Sequence, residues 1–325
     1  MRAACRLRCA TRAFPCQTRR VGYDTTSSKA PDQGLLAGLA LAMFGAIAFS
    51  GKAIIVKLAY RYGVDAVTLI MLRMLFALPI FAIMAWWAGR GKPRLSAGDW
   101  LGVSGLGVTG YYLSSFLDFA GLQYISASLE RLILYLNPTL VLLLGWLLYR
   151  RPFRRIHVLG MAISYCGVIL VFGREAHLEG GQAALGALLV FTSTITYAIY
   201  MVYSGQLVQR LGALRLVGLA TTVACLCCLL QFALLRPLAS AFAVAPQVVW
   251  LSVLNATACT AVPVLMVMMA IERIGPALSA QTGMVGPMST ILMSVLILDE
   301  PFTVWIAAGT VLVIAGIFVF TRAAR

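Results

Sequence analysis

Six ionisable side chains, Lys52, Lys57, Arg73, Asp118, Glu130 and Arg131, stand inside stretches that are otherwise almost wholly apolar. A central Asp, Lys or Arg costs about 2.5–3.5 kcal/mol on insertion scales, so such groups face a cavity or a partner. Carboxylates and cations at one depth form ion pairs that either hold helices in order or break to open a gate. Asp118 and Glu130 are expected to pair with Arg73, Lys52 or Arg131, and either carboxylate is a candidate for a coupled proton. Counted at 1.5 Å per residue, Glu130 should lie about 6 Å below the nearer boundary, and Lys52 and Arg73 about 10 Å. The alternative is a purely structural network, with Lys57 and Arg131 snorkelling to the interface.

The uncharged polar residues lie deeper. Asn137 precedes Pro138, and Gln281, Thr282 and Gly283 precede Gly286 and Pro287. A proline inside a helix frees backbone groups and kinks the chain, so Asn137 and Gln281 are candidate solute contacts beside helix breaks at Pro138 and Pro287. Thr192 and Thr196 are four apart and share a helix face, with Tyr197 and Tyr200 nearby. Tyr111, Tyr112, Asn255 and Thr257 complete the set. For each of these, an ordinary interhelical hydrogen bond is the competing reading.

Other chemistry is missing from the sequence. It contains no HExxH, no phosphate-binding GxxxxGK[ST] and no GxSxG. Cys5, Cys9 and Cys16 lie in a basic stretch, Cys225, Cys227 and Cys228 in an apolar one, and His157 and His177 in or beside expected loops. None of these spacings suits a zinc site. No metal, cofactor or catalytic centre is expected, and an ATP-driven pump would need another chain.

The elements that position these residues follow from hydropathy. The chain is 61% hydrophobic and 11% charged, with a mean hydropathy of +0.90. Soluble domains average about 45–50% apolar and about 25% charged. The apolar runs are continuous rather than alternating, which selects helices over a barrel. Ten spans are expected, at 34–58, 66–88, 100–122, 126–149, 156–172, 186–207, 214–235, 248–271, 277–298 and 303–320. The expected class is therefore an all-α integral membrane protein with the lipid bilayer as its solvent.

Cations concentrate in alternate connections: Arg90, Lys92 and Arg94; Arg150, Arg151, Arg154 and Arg155; Arg210 and Arg215; Arg273. The other connections hold Arg61, Arg174 and Arg236. Positive-inside logic places both termini in the cytoplasm, as an even number of spans requires. The net charge of +15 is thus topological, and no nucleic-acid partner is expected. Residues 1–33 read as a separate basic tail, expected to be disordered. An organellar transit peptide or a start assigned too early would look the same.

The chain repeats itself. With a constant offset of 149, Pro138 meets Pro287, Pro152 meets Pro301, Phe153 meets Phe302, Gly160 meets Gly309 and Gly167 meets Gly316. Each glycine pair is two helical turns apart and offers a face for close helix approach. Five spans per copy is an odd number, so the second copy must enter the membrane with opposite polarity. The expected units are 34–173 and 182–322, two inverted five-helix repeats.

The segment from Gly121 to Thr139, with Glu130-Arg131 and Asn137-Pro138, resembles the fourth-helix signature of EamA-type members of the drug/metabolite transporter superfamily. Ala270 to Ala277, Gly286-Pro287 and Asp299-Glu300-Pro301 resemble the same signature in a second repeat. Lys57 and Arg73 match positions often basic in that family. Phe49-Ser50 replaces its usual Trp-Gly, and Arg150-Arg151 replaces the usual Gly-Glu. The resemblance implies a ten-helix carrier of the bacterial cytoplasmic membrane, exporting or exchanging small metabolites such as amino acids or related polar solutes. A homodimer is left open. The rival readings are a membrane enzyme acting on a lipid or isoprenoid, which leaves the inverted Pro/Gly repeat unexplained, and a channel, which lacks a continuous polar stripe.

Overall fold

The computed structural model describes residues 33–149, 155–179, 181–283 and 285–322. Without water, continuous apolar backbone is satisfied within its own helix. All regular structure among the described residues is accordingly helical. The first half holds α1 (Gln33–Tyr60), α2 (Ala66–Gly89), α3 (Ala97–Leu106), α4 (Ser114–Gly121), α5 (Ala127–Leu134), α6 (Asn137–Tyr149) and α7 (Arg155–Glu179). The second half holds α8 (Gly181–Leu211), α9 (Ala213–Leu235), α10 (Pro246–Ala256), α11 (Val262–Thr282), α12 (Val285–Leu298) and α13 (Val304–Arg322). Six stretches, α1, α2, α8 and α9 among them, are long and apolar enough to cross a membrane, and three further apolar helices are shorter.

Polar caps stop the helices in the connections. Asp65 accepts from the backbone N–H groups of Val67 and Thr68 at 3.1 and 3.3 Å and starts α2. Ser96 and Asp99 form a reciprocal capping box at α3. Such caps contribute about 1 kcal/mol each. The chain's six tryptophans all fall within five residues of a helix end and are exposed: Trp86, Trp87, Trp100 and Trp146 toward one face, Trp250 and Trp305 toward the other. That is the distribution of aromatic belts at two membrane interfaces.

The offset of 149 holds in the backbone. It carries the start of α3 at Ala97 to the start of α10 at Pro246, and the end of α6 at Tyr149 to the end of α12 at Leu298. A π-helical segment, Gly107–Leu113, joins α3 to α4 without a break, and a second, Thr257–Ala261, joins α10 to α11 at the matching place. Packing obeys the same exchange: α1 lies on α11 and α12, while α8 lies on α4, α5 and α6. α2 pairs with its counterpart α9, and α7 with α13. A Cβ added to Gly167 would fall 2.7 Å from the Gly309 carbonyl oxygen, and one on Gly316 2.6 Å from that of Gly160. These counterpart helices therefore cross antiparallel, and the two halves have opposite polarity.

Three expectations need correction. The connection expected near 272–276 is helical, because α11 runs on to Thr282. A short polar interruption lowers hydropathy, but Gly275-Pro276 removes only one backbone donor there. His157 and His177 fall inside α7, which extends past its apolar centre at both ends. Pro138 and Pro287 do not kink continuous helices. The chain breaks just before each, at Tyr135-Leu136 and after Thr282, and the prolines stand in the first turn of the new helices α6 and α12. An early position tolerates a missing N–H. The expectations for the basic tail, for Cys5, Cys9 and Cys16, and for Arg150 to Arg154 fall outside the described residues.

Candidate functional site

Three helices bring four of the membrane charges together. Lys52 on α1 places its Nζ 2.5 Å from Asp118 Oδ2 on α4 and 3.9 Å from Glu130 Oε1 on α5. Arg131 Nε lies 3.8 Å from Glu130 Oε2. Glu130 is fully buried and Asp118 nearly so. Arg131 therefore belongs to the ion cluster and does not snorkel. Lys57 does not snorkel either: its ammonium donates to the Ile125 carbonyl at 2.9 Å, covering the end of the α4–α5 turn. A half-buried ammonium takes a turn carbonyl that no helix ladder satisfies.

Arg73 on α2 departs from expectation most. Among the described residues no carboxylate lies within ion-pair distance of it: Lys52 takes Asp118, and Arg131 and Lys52 flank Glu130. Its Nε donates to Thr260 Oγ1 at 3.3 Å, and its guanidinium carbon lies 5.1 Å from the Phe119 ring centre. Arg73 is only 6% exposed, and its Nη1 has no hydrogen-bond partner. Thr260 sits in the second π-helical segment and donates its own hydroxyl to the Asn255 carbonyl, five residues back, at 2.8 Å. The widened helical turn thus supplies the acceptor that holds Arg73.

Two cavities flank this cluster. A central one of about 470 Å³ is lined by Lys52, Arg73, Asp118, Arg131 and Asn137. Tyr111, Tyr197 and Tyr200 form an aromatic wall of the same space. The Tyr111 and Tyr200 hydroxyls are 3.0 Å apart, and the Tyr197 and Tyr200 rings stack at 5.5 Å. Gly110 is the close approach that admits Tyr200, since a Cβ there would run into the ring. The second cavity, about 690 Å³, is lined by Lys57, Arg61, Gln123, Arg174 and Glu300. Lys52, Asp118 and the fully buried Glu130, Phe119 and Leu129 lie between the two groups of lining residues along α1, α4 and α5.

Glu300, in the turn between α12 and α13, ties the second half to the first. Its carboxylate accepts from the Ala127 and Ser128 N–H groups at 2.8 and 3.3 Å and from the Ser128 hydroxyl at 2.9 Å. It therefore caps α5, the helix that carries Glu130. Asp299 takes a left-handed φ of +60° to turn the chain here, and Arg61 donates to the Leu298 carbonyl at 2.6 Å. The sequence carried a hint of this in Asp299-Glu300, but gave no sign of what the acid would bind.

Asn137 lines the central cavity with its Oδ1 unpartnered. The Gln281 and Pro287 side chains lie outside the described residues. Thr192 and Thr196 do not line the cavity; their hydroxyls return to the Leu188 and Ser193 carbonyls. Their neighbours Ser193 and Thr194 line it instead, with Ser114 opposite and 3.1 Å from Ser193. Tyr112 packs in the apolar core, Asn255 is buried, and Thr257 bonds Val253. Cys225 and Cys228 are buried, the former 3.7 Å from Met74 sulfur, as small apolar packing predicts.

The helical fold, the counterpart crossings and the central polar cavity define a multi-span membrane protein of the transporter kind. The model of the EamA-like transporter family matches residues 36–173 and again 184–322, and the chain belongs to that family. The uncharacterized transporter YcbK of Bacillus subtilis is 30% identical over 275 residues, covering 81% of this chain and 86% of that one. An uncharacterized transporter of Archaeoglobus fulgidus is 22% identical, covering 87% and 96%. A crystal structure with a TM-score of 0.60 at 19% identity covers 90% of this chain and 99% of its own, which concerns the fold alone.

Proposed function

We propose that the chain is a secondary carrier, exporting or exchanging small metabolites such as amino acids or related polar solutes by alternating access between its inverted halves. The observation that carries this reading is the Lys52–Asp118–Glu130–Arg131 cluster, its acids buried and its cations half-buried, on the wall of the central cavity toward the second one. An ion-pair layer in that position is a gate when it breaks. Arg73 and Asn137 face the solute, Gln281 is its candidate contact in the second half, and the breaks before Pro138 and Pro287 are the hinges. Glu130 or Asp118 takes up a proton as the cluster opens. With both termini in the cytoplasm of the cell that holds it, the larger cavity is the outer vestibule.

Counterflow in proteoliposomes, with a labelled pool of amino acids, nucleosides and sugars, tests the reading. Transport of at least one solute is expected, with strong loss in both Glu130→Gln and Arg73→Ala. Unchanged counterflow in both variants would remove the gate. Flux that ignores an imposed pH gradient would remove the proton.

A further inference from the structure

The central cavity carries more positive than negative charge. Lys52, Arg73 and Arg131 line it, Asp118 is the carboxylate on its wall, and Glu130 lies behind between Lys52 and Arg131. Even with both acids ionised, one cation is left over, and geometry identifies it. Lys52 and Arg131 have carboxylates within ion-pair distance, although Arg131 Nε and Nη2 make no hydrogen bond; among the described residues Arg73 has no carboxylate within that distance, only a hydroxyl on Nε and a ring face near its guanidinium, with nothing on Nη1. Burying an uncompensated guanidinium is costly unless something regularly completes it. A planar fork of N–H donors is matched by a carboxylate.

We infer that the solute is a small monocarboxylate, its carboxylate seated on Arg73 and its flat apolar body against Tyr111, Tyr197 and Tyr200. This rests on the carrier reading above and names its substrate class. In the closed cluster, with both acids ionised, one leftover cation matches a single negative charge. A cavity of about 470 Å³ suits a body the size of one aromatic ring with a short chain.

The purified full chain in detergent is probed with one phenylethyl frame carrying different charges: 3-phenylpropionate, 3-phenylpropionamide, phenethylamine and 2-phenylethyl phosphate. The expected result is a rise in unfolding temperature with 3-phenylpropionate, at least tenfold weaker binding of the amide, and no response to the amine or the phosphate dianion. Arg73→Gln should abolish the response and Arg73→Lys should retain part of it. The wild-type series decides the matter even if Arg73→Gln fails to fold. Equal binding of amide and carboxylate, preference for the amine or the phosphate, or no binding of the carboxylate each overturns the inference. Counterflow of whichever probe binds separates the two claims. Carboxylate binding without counterflow sinks the carrier and keeps the site. Counterflow of neutral or cationic solutes with carboxylates inert does the reverse.

Discussion

Tyr111 and Thr260 occupy the same place in the two halves, 149 residues apart and each inside a π-helical segment. Tyr111 sends its hydroxyl to Tyr200 at 3.0 Å, and Thr260 accepts from Arg73 at 3.3 Å. The duplicated backbone device is kept while the side chains differ, so each half presents different chemistry to one cavity. Single π turns within α-helices are frequent at functional sites for this reason: they turn a polar group out of the regular ladder.

Thr260→Val should therefore be worse than Tyr111→Phe. The former leaves the buried Arg73 Nε without its acceptor, at about 1–3 kcal/mol; the latter loses one neutral bond, at about 0.5–1.5 kcal/mol. Thermal unfolding in detergent ranks them, and the opposite order would count against the role given to Thr260.

Lys52 and Asp118 should show strong coupling. Removing either partner strands a buried charge, at about 3–5 kcal/mol, whereas removing both leaves much less exposed to that penalty. The expected outcome is that Lys52→Met combined with Asp118→Asn is milder than the sum of the singles, measured as a double-mutant cycle. Additive effects would mean that the 2.5 Å contact contributes nothing.

Glu300→Ala should loosen the start of α5. An N-terminal cap is worth about 0.5–2 kcal/mol, and the Ala127 and Ser128 amides lose their acceptor. Hydrogen exchange of peptides covering 122–130 should speed up, while peptides from α2 stay unchanged.

Asp65 supplies a pH prediction outside the membrane. Burial alone would raise its pKa, but the Thr68 hydroxyl and N–H, with Arg236 at 3.2 Å, outweigh it and hold the carboxyl below its ordinary range. A group depressed on folding adds stability that is complete above the unfolded value, about 3.9. That stability fades as pH falls through the lower folded value. Asp65→Asn should flatten the acid side of the stability curve below about pH 4 and leave the neutral side parallel to wild type.

Much of this molecule was legible from residue types. Continuous apolar runs set the helices, and the paired Pro and Gly positions set the offset that the backbone obeys. The cluster was legible as a set of charges, but not as pairs. Whether Asp118 takes Lys52 or Arg73 depends on how α1, α2 and α4 cross, which no spacing within one helix encodes. The π-helical segments were invisible because Gly-Val-Thr-Gly-Tyr and Thr-Ala-Cys-Thr-Ala read as ordinary apolar helix. The Glu300 cap was hidden for a different reason: it joins residues 172 and 173 apart.

That cap has no twin. Moving back by the offset puts Arg151 where Glu300 stands, and moving forward puts Pro276 and Ala277 in the places of Ala127 and Ser128. Proline has no N–H to offer, and arginine cannot accept one. Among the described residues this fastening stands on one face, so a chain with a repeated backbone is held unevenly. Left empty, it should rest shut on that face most of the time, so half-saturating concentrations measured from opposite sides of the bilayer should differ.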